Sequence, residues 1–125
     1  MPAPSCHRPV AVAMASVLLA AAASCAGADS SSPPGTIRVF KSLGSVQCAA
    51  AGVDLRTLEK QLDDAKLKVL SSSCGSDGRM HAAMCGASDG RIAIFELSAK
   101  DAESAAKLGF NAIGALPEAK LLPCK

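Results

Sequence analysis

The segment RIAIFEL (Arg91–Leu97) is the most strand-like stretch of the chain. Alternate side chains of a strand point to opposite faces, so Ile92 and Ile94 lie on one face and Phe95 and Leu97 on the other. Apolar side chains on both faces are typical of a strand that other parts of the protein cover on both sides. The segment is therefore predicted to be the central strand of a sheet.

A near-repeat lies just before this strand. The stretch CGSDGRM (Cys74–Met80) resembles CGASDGRI (Cys85–Ile92), with a cysteine before each Ser-Asp-Gly turn and an arginine after it. Asp-Gly is a strong hairpin signal because glycine adopts positive φ at little cost. We therefore expect a three-stranded antiparallel meander over residues 67–74, 79–85 and 91–97. Asp77 and Asp89 lack the carboxylate spacing of a calcium loop, so they are interpreted as turn residues.

Two helices are predicted around these strands. Asp54 is a favoured N-cap for the first helix. Its apolar stripe at helical spacing comprises Leu55, Leu58, Leu62 and Ala65. Ser98 is expected to cap the second helix, with Asp101 in the capping-box position and Gly109 at its end.

The order of predicted elements indicates an α+β fold. A strand over 37–40 precedes the first helix, and an edge strand is expected near Lys120–Leu122. Antiparallel strands with interposed helices favour a two-layer sandwich in which both helices cover one face of the sheet. This arrangement resembles a ferredoxin-like plait with an extra hairpin, stapled by disulfides.

The first 35 residues predict export. An uncharged, Ala-rich run of 15 residues, 10–24, follows Arg8 and is shorter than the roughly 20 residues that a membrane-spanning helix needs. The small residues AGA (26–28) form a signal-peptidase pattern, which gives a signal peptide 1–28. Alternatively, AASC (22–25) resembles a bacterial lipobox, in which case the leader is 1–24 and Cys25 carries the lipid. A flexible Ser/Pro linker, 29–36, and a single small domain, 37–125, are expected to follow.

The cysteine count predicts two disulfides. Cys6 and Cys25 lie in the leader, and four cysteines follow it: Cys48, Cys74, Cys85 and Cys124. An even number in an oxidising compartment indicates two bridges, with three possible pairings. We expect Cys74–Cys85, which would staple the hairpin, together with Cys48–Cys124. A redox or zinc site is disfavoured because the chain has no C-x-x-C motif.

Composition excludes several classes of function. All 11 acidic residues and 12 of the 13 basic residues follow residue 28, which gives that part of the chain a net charge of only +1. The aromatic residues, Phe40, Phe95 and Phe110, lie in apolar contexts and are expected in the core. Neither nucleic acid nor an anionic membrane surface is therefore an expected partner. We expect a monomer whose membrane contact, if any, is a lipid anchor on Cys25.

The sequence carries no recognisable catalytic set. His81 is the one histidine after the leader, and no G-x-S-x-G or similar nucleophile motif accompanies it. Met80, His81 and Met84 are soft donors of the kind that bind copper. On a strand, however, the two methionines would be about 13 Å apart and His81 would face away. We therefore expect gap-filling methionines, no metal, no cofactor and no enzymatic activity.

Two segments carry a resemblance to known proteins. KSLGSVQC (Lys41–Cys48) and CGASDGRIAIFE (Cys85–Glu96) resemble stretches of small uncharacterised bacterial envelope proteins that include lipoproteins of unknown function. The resemblance implies a compact secreted domain and transfers no functional residue.

The expected function is a non-catalytic module of the cell envelope. It would lie in the periplasm, on the outer membrane or outside the cell, and would bind a protein or an envelope component. The alternative is a small secreted inhibitor of a protease or lysozyme-type hydrolase, with the turns of Ser71–Gly90 as its binding loop. The candidate contact residues in both cases are Asp77, Arg79, Asp89 and Arg91.

Overall fold

A computed structural model describes residues 34–49 and 52–124 of the chain. Strand β3 (Arg91–Ser98) lies at the centre of the sheet, between β1 (Thr36–Ser42) and β2 (Ser71–Ser76), and pairs antiparallel with both. Its apolar side chains are buried on both faces, and the most exposed of them, Ile94, is only 6% exposed. The prediction of a central strand at this position is confirmed.

Two short strands complete the sheet. Strand β4 (Asn111–Ala112) pairs with β1 at one edge, and β5 (Lys120–Leu122) pairs with β2 at the other. The strand order is β4-β1-β3-β2-β5. The edge strand expected near Lys120–Leu122 is therefore present.

Helix α1 (Leu55–Asp64) follows its sequence signals closely. The Asp54 carboxylate accepts a hydrogen bond from the Arg56 amide at 3.0 Å, as an N-cap does. Leu58 and Leu62 are buried against the sheet. The helix ends in a Schellman-like turn, in which the Leu67 amide donates to the Leu62 carbonyl and Lys66 adopts a left-handed φ of 63°.

Helix α2 (Ala102–Lys107) begins later than predicted. A 3-10 turn, Ala99–Asp101, stands between it and β3, and the Ser98 side chain makes no capping hydrogen bond. The expected capping box is thus not formed. The end of the helix is as predicted, since Gly109 adopts a φ of 85° and the Phe110 amide donates to the Ala105 carbonyl.

The connectivity is that of a small α+β sandwich stapled by two disulfides. Elements β1 to β4 run β-α-β-β-α-β, and their order across the sheet, 4-1-3-2, matches a ferredoxin-like plait. The fifth strand is added beside β2. The strand expected over 79–85 is absent, because β2 pairs directly with β3 (Ser76 lies opposite Arg91) and residues 77–90 form an irregular connection between them.

The sheet is covered on both faces. Both helices contribute to one apolar cluster, in which Phe95 and Phe110 meet edge to face with ring centroids 5.7 Å apart. Because β4 and β5 lie at opposite edges, residues 113–119 must cross the other face of the sheet. Leu116 of that segment packs on Ile92 and Ile94 and forms a second, smaller cluster.

The disulfides are Cys48–Cys85 and Cys74–Cys124, so the expected pairing is wrong. Cys74 lies on β2 opposite Leu122 of β5, which brings Cys124 beside it. Cys85 lies against the turn after β1, where the Gln47 amide donates to the Ala87 carbonyl at 2.8 Å. The expected Cys74–Cys85 bridge depended on the missing strand.

Disulfides of this kind are typical of exported proteins. Among the described residues, no helix combines the length and apolar character needed to cross a bilayer. The predicted leader, with Cys25 and both cleavage sites, lies outside the described residues.

Candidate functional site

The two Ser-Asp-Gly copies form the same local structure. In the first, the Ser76 hydroxyl accepts from the Gly78 amide and the Asp77 carboxylate accepts from the Arg79 amide. In the second, the Ser88 hydroxyl accepts from the Gly90 amide, and the Arg91 amide donates to the carboxylate of the preceding turn aspartate. Each short polar side chain thus bonds to the backbone two residues ahead, which explains why the motif occurs twice.

We call residues 77–90 the stapled loop, because bonds at its base and side hold it. The Asp77 amide donates to the Gly90 carbonyl at 2.9 Å and closes the base. The Asp89 carboxylate accepts a 2.6 Å hydrogen bond from the buried hydroxyl of Ser45. The Cys48–Cys85 disulfide joins the far side of the loop to the turn after β1. A 14-residue connection without regular structure is thereby fixed to the body of the domain.

Asp77 and His81 form a close pair inside the stapled loop. The His81 Nε2 atom lies 2.9 Å and 3.0 Å from the two carboxylate oxygens, and the two side chains are only 15% and 23% exposed. Burial acts to raise the pKa of Asp77. The hydrogen bonds from His81 and from the Arg79 amide outweigh burial and hold this pKa below its ordinary value.

The tip of the stapled loop presents apolar side chains to solvent. Met80 has a relative exposure of 101% and Met84 of 63%, and the alanines between them are exposed as well. The methionines therefore do not fill core gaps, and the expectation that they do is wrong. Most large apolar side chains of the described residues are buried or half-buried, and Met80 is the most exposed of the others. Two exposed methionines on one anchored loop therefore form a distinctive surface.

The four predicted contact residues differ in what their side chains do. Asp77 and Asp89 bond within the turns described above. Arg91 donates from Nη2 to the Pro123 carbonyl at 2.8 Å and so holds the end of the chain beside β2. Arg79 is exposed and its guanidinium has no hydrogen-bond partner among the described residues. Of the four, Arg79 is the one whose side chain makes no hydrogen bond within the described residues, although its charge helps to lower the pKa of Asp77.

A small cleft lies beside the loop, at the end of the sheet where both disulfides lie. Its walls include Ser45, Asp54 and Arg91, and its volume is about 110 Å³. Sites for small molecules and cofactors usually measure about 300–1,000 Å³. The cleft is therefore large enough for a few water molecules but not for a typical cofactor.

Within the described residues, these side chains form neither a metal site of His, Cys, Asp and Glu ligands nor an activated nucleophile. Among residues 34–49 and 52–124, no group of three or more His, Cys, Asp or Glu side chains is placed to share a metal ion. Within these two ranges, the His81 ring makes its hydrogen bonds to Asp77. It makes none to a serine or cysteine that the imidazole could activate as a nucleophile. The exposed surface of the loop is consequently the feature that invites a functional interpretation.

Sequence reasoning located the turns and missed the exposed methionines. No local signal in residues 79–85 marks this exposure, because the segment is held by the Cys48–Cys85 bridge and the cysteine count leaves the pairing open.

Comparison of the chain with protein-family models, with curated proteins and with solved structures gives no match.

Proposed function

We propose that the protein is a non-catalytic module of the bacterial cell envelope and binds a protein or wall component through the tip of the stapled loop. The observation that carries the proposal is the anchored loop with Arg79, Met80 and Met84 exposed at its tip. A loop that is already ordered loses little conformational entropy when it binds, so a modest contact area yields useful affinity.

Export is part of the same proposal. The two disulfides favour an oxidising compartment, and the predicted signal peptide 1–28 supplies the route. In the lipoprotein form, cleavage before Cys25 and acylation of its thiol would tether the domain to a membrane through the 29–36 linker. Intact mass of the protein purified from its native envelope tests this: a start at Cys25 with added acyl mass or a start at Asp29 supports export, and retention of residues 1–24 contradicts it.

A pulldown from envelope extracts tests the binding function. The bait is the protein with Arg79, Met80 and Met84 intact, compared with the triple alanine variant of these residues. A double alanine variant of Leu70 and Leu121, which are 49% and 64% exposed outside the loop, is the matched control. We expect one component to be enriched by the wild type and by the control but not by the loop variant. Equal recovery on all three baits would reject the loop as the binding surface.

Inhibition of a hydrolase is the second candidate, and the fully exposed Met80 favours it. A side chain that projects from an anchored loop is suited to enter the cleft of a protease or lysozyme-type enzyme. The test is a panel of such enzymes, with Arg79→Ala and Met80→Ala expected to weaken inhibition at least tenfold. Absence of inhibition by the wild-type protein across the panel would eliminate this candidate.

A further inference from the structure

Three soft or borderline donors lie within five residues of the stapled loop. Met80, His81 and Met84 supply two thioethers and one imidazole, the donor types that Cu(I) prefers over harder ions. On a strand they would be separated, but this segment is irregular. The Met84 amide donates to the Ala82 carbonyl at 2.9 Å, which closes a γ-type turn over residues 82–84, so the chain bends just before Met84.

The contact with Asp77 defines which nitrogen of His81 is free. Carboxylate oxygens only accept hydrogen bonds, so the ring nitrogen that faces both of them, Nε2, carries a proton. In the neutral ring the lone pair is then on Nδ1. Histidines that bind metals commonly donate their other ring N–H to a carboxylate, which fixes the tautomer and the ring orientation. Asp77 and His81 have this arrangement.

The packing at Gly90 supports the same placement of the ring. A Cβ atom at Gly90 would lie 2.6 Å from the Nε2 atom of His81 and 2.9 Å from the Asp77 carboxylate. The absence of a side chain at this position thus makes room for the pair. Gly90 also has a φ of 74°, which other residues rarely adopt. The His81 ring is therefore held by the loop itself while both thioethers remain exposed.

We propose that Met80, Met84 and the Nδ1 atom of His81 form a binding site for Cu(I), with Asp77 as the positioning residue for the imidazole. The site involves the same loop as the proposed partner surface but does not depend on any partner. It also gives a reason for two methionines to remain exposed on an otherwise well-anchored segment.

The test is a competition titration with Cu(I) and a colorimetric Cu(I) chelator, under anaerobic conditions, on the full chain with its disulfides intact. Free thiols are first blocked with N-ethylmaleimide, because Cys6 or Cys25, where retained, would bind Cu(I) themselves. We expect one equivalent bound to the wild type. The double Met80→Leu, Met84→Leu variant should bind at least 100-fold more weakly.

Asp77→Asn tests the positioning role, with Asp63→Asn as the matched control on the exposed surface of α1. Loss of a carboxylate partner of this kind typically weakens metal binding by about 10–100-fold, and we expect that loss for Asp77 and none for Asp63. As a direct readout, Ag(I), a redox-inert mimic of Cu(I), should shift the ¹³C methyl resonances of Met80 and Met84.

Two results would overturn the site: no competition by the wild-type protein, or unchanged affinity in the double leucine variant. The leucine substitutions are on exposed side chains, and intact mass with far-UV circular dichroism verifies that the variants retain their fold and disulfides. A wild type that binds Cu(I) but enriches no envelope component would leave the site standing and remove the proposed function. A wild type that enriches an envelope component but does not bind Cu(I) would remove the site and leave the proposed function standing.

Discussion

At the scale of single residues, Lys66 shows how the fold tolerates an unfavourable conformation. It occupies the left-handed position that ends α1, with a φ of 63° and an exposed side chain. This conformation costs an L-residue about 1–2 kcal/mol because Cβ approaches the following carbonyl oxygen. The amide of Lys66 still donates to the Asp63 carbonyl at 2.9 Å. The turn is therefore imposed by the helix end and by burial of Leu67, not by the preference of the residue.

Lys66→Gly should accordingly stabilise the protein. The strain energy that is relieved exceeds the free-energy cost of the greater backbone freedom of glycine in the unfolded state. The free energy of unfolding should therefore rise by about 0.5–1 kcal/mol. Urea denaturation measures the difference. Lys68→Gly, two residues further on and outside the left-handed region, is the control and should be destabilising. A loss of stability in Lys66→Gly equal to that in Lys68→Gly would contradict this account of the turn.

At the scale of elements, the sequence predicts what local signals determine. Helix α1 follows from Asp54 and a four-residue apolar stripe, and β3 from a run of apolar residues. The segment 79–85 could not be placed in the same way, because its structure depends on a disulfide partner 37 residues away. Met80 and Met84 lie in or beside this irregular segment and are exposed, so the candidate site was only partly predictable: its turns could be predicted from the sequence, and its exposed surface could not.

The segment that crosses the back of the sheet provides an element-scale prediction. Leu116 is 6% exposed and packs on Ile92 and Ile94, whereas Leu121 on β5 is 64% exposed. Leu116→Ala should lower the free energy of unfolding by about 2–4 kcal/mol, because it removes buried methyl groups from a small cluster. Leu121→Ala makes the same chemical change at an exposed position and should cost under about 0.5 kcal/mol. Similar urea midpoints for the two variants would show that residues 113–119 do not cover this face.

At the scale of the whole molecule, two bridges connect parts of the chain that are distant in sequence. Cys48–Cys85 spans 37 residues and Cys74–Cys124 spans 50, and both lie at the end of the sheet from which the stapled loop emerges. In the chain-entropy view, each cross-link destabilises the unfolded state by about 4 kcal/mol. A domain of this size has a total stability on the order of 5–13 kcal/mol. The stabilisation from the two bridges together is thus comparable to the whole free energy of unfolding of the domain.

Reduction of both disulfides should therefore leave the domain unfolded or close to it at 25 °C. Far-UV circular dichroism through a urea titration measures this, with the oxidised protein as reference. Two double variants each remove one bridge: Cys48→Ala with Cys85→Ala, and Cys74→Ala with Cys124→Ala. Each should lose about half of the stabilisation that the two disulfides provide together. Because Cys74 is buried at 4% exposure on β2, the second variant should lose somewhat more through the cavity it creates. A reduced protein with the urea midpoint of the oxidised one would show that the hydrophobic clusters suffice alone, and would remove the stability argument for an oxidising compartment.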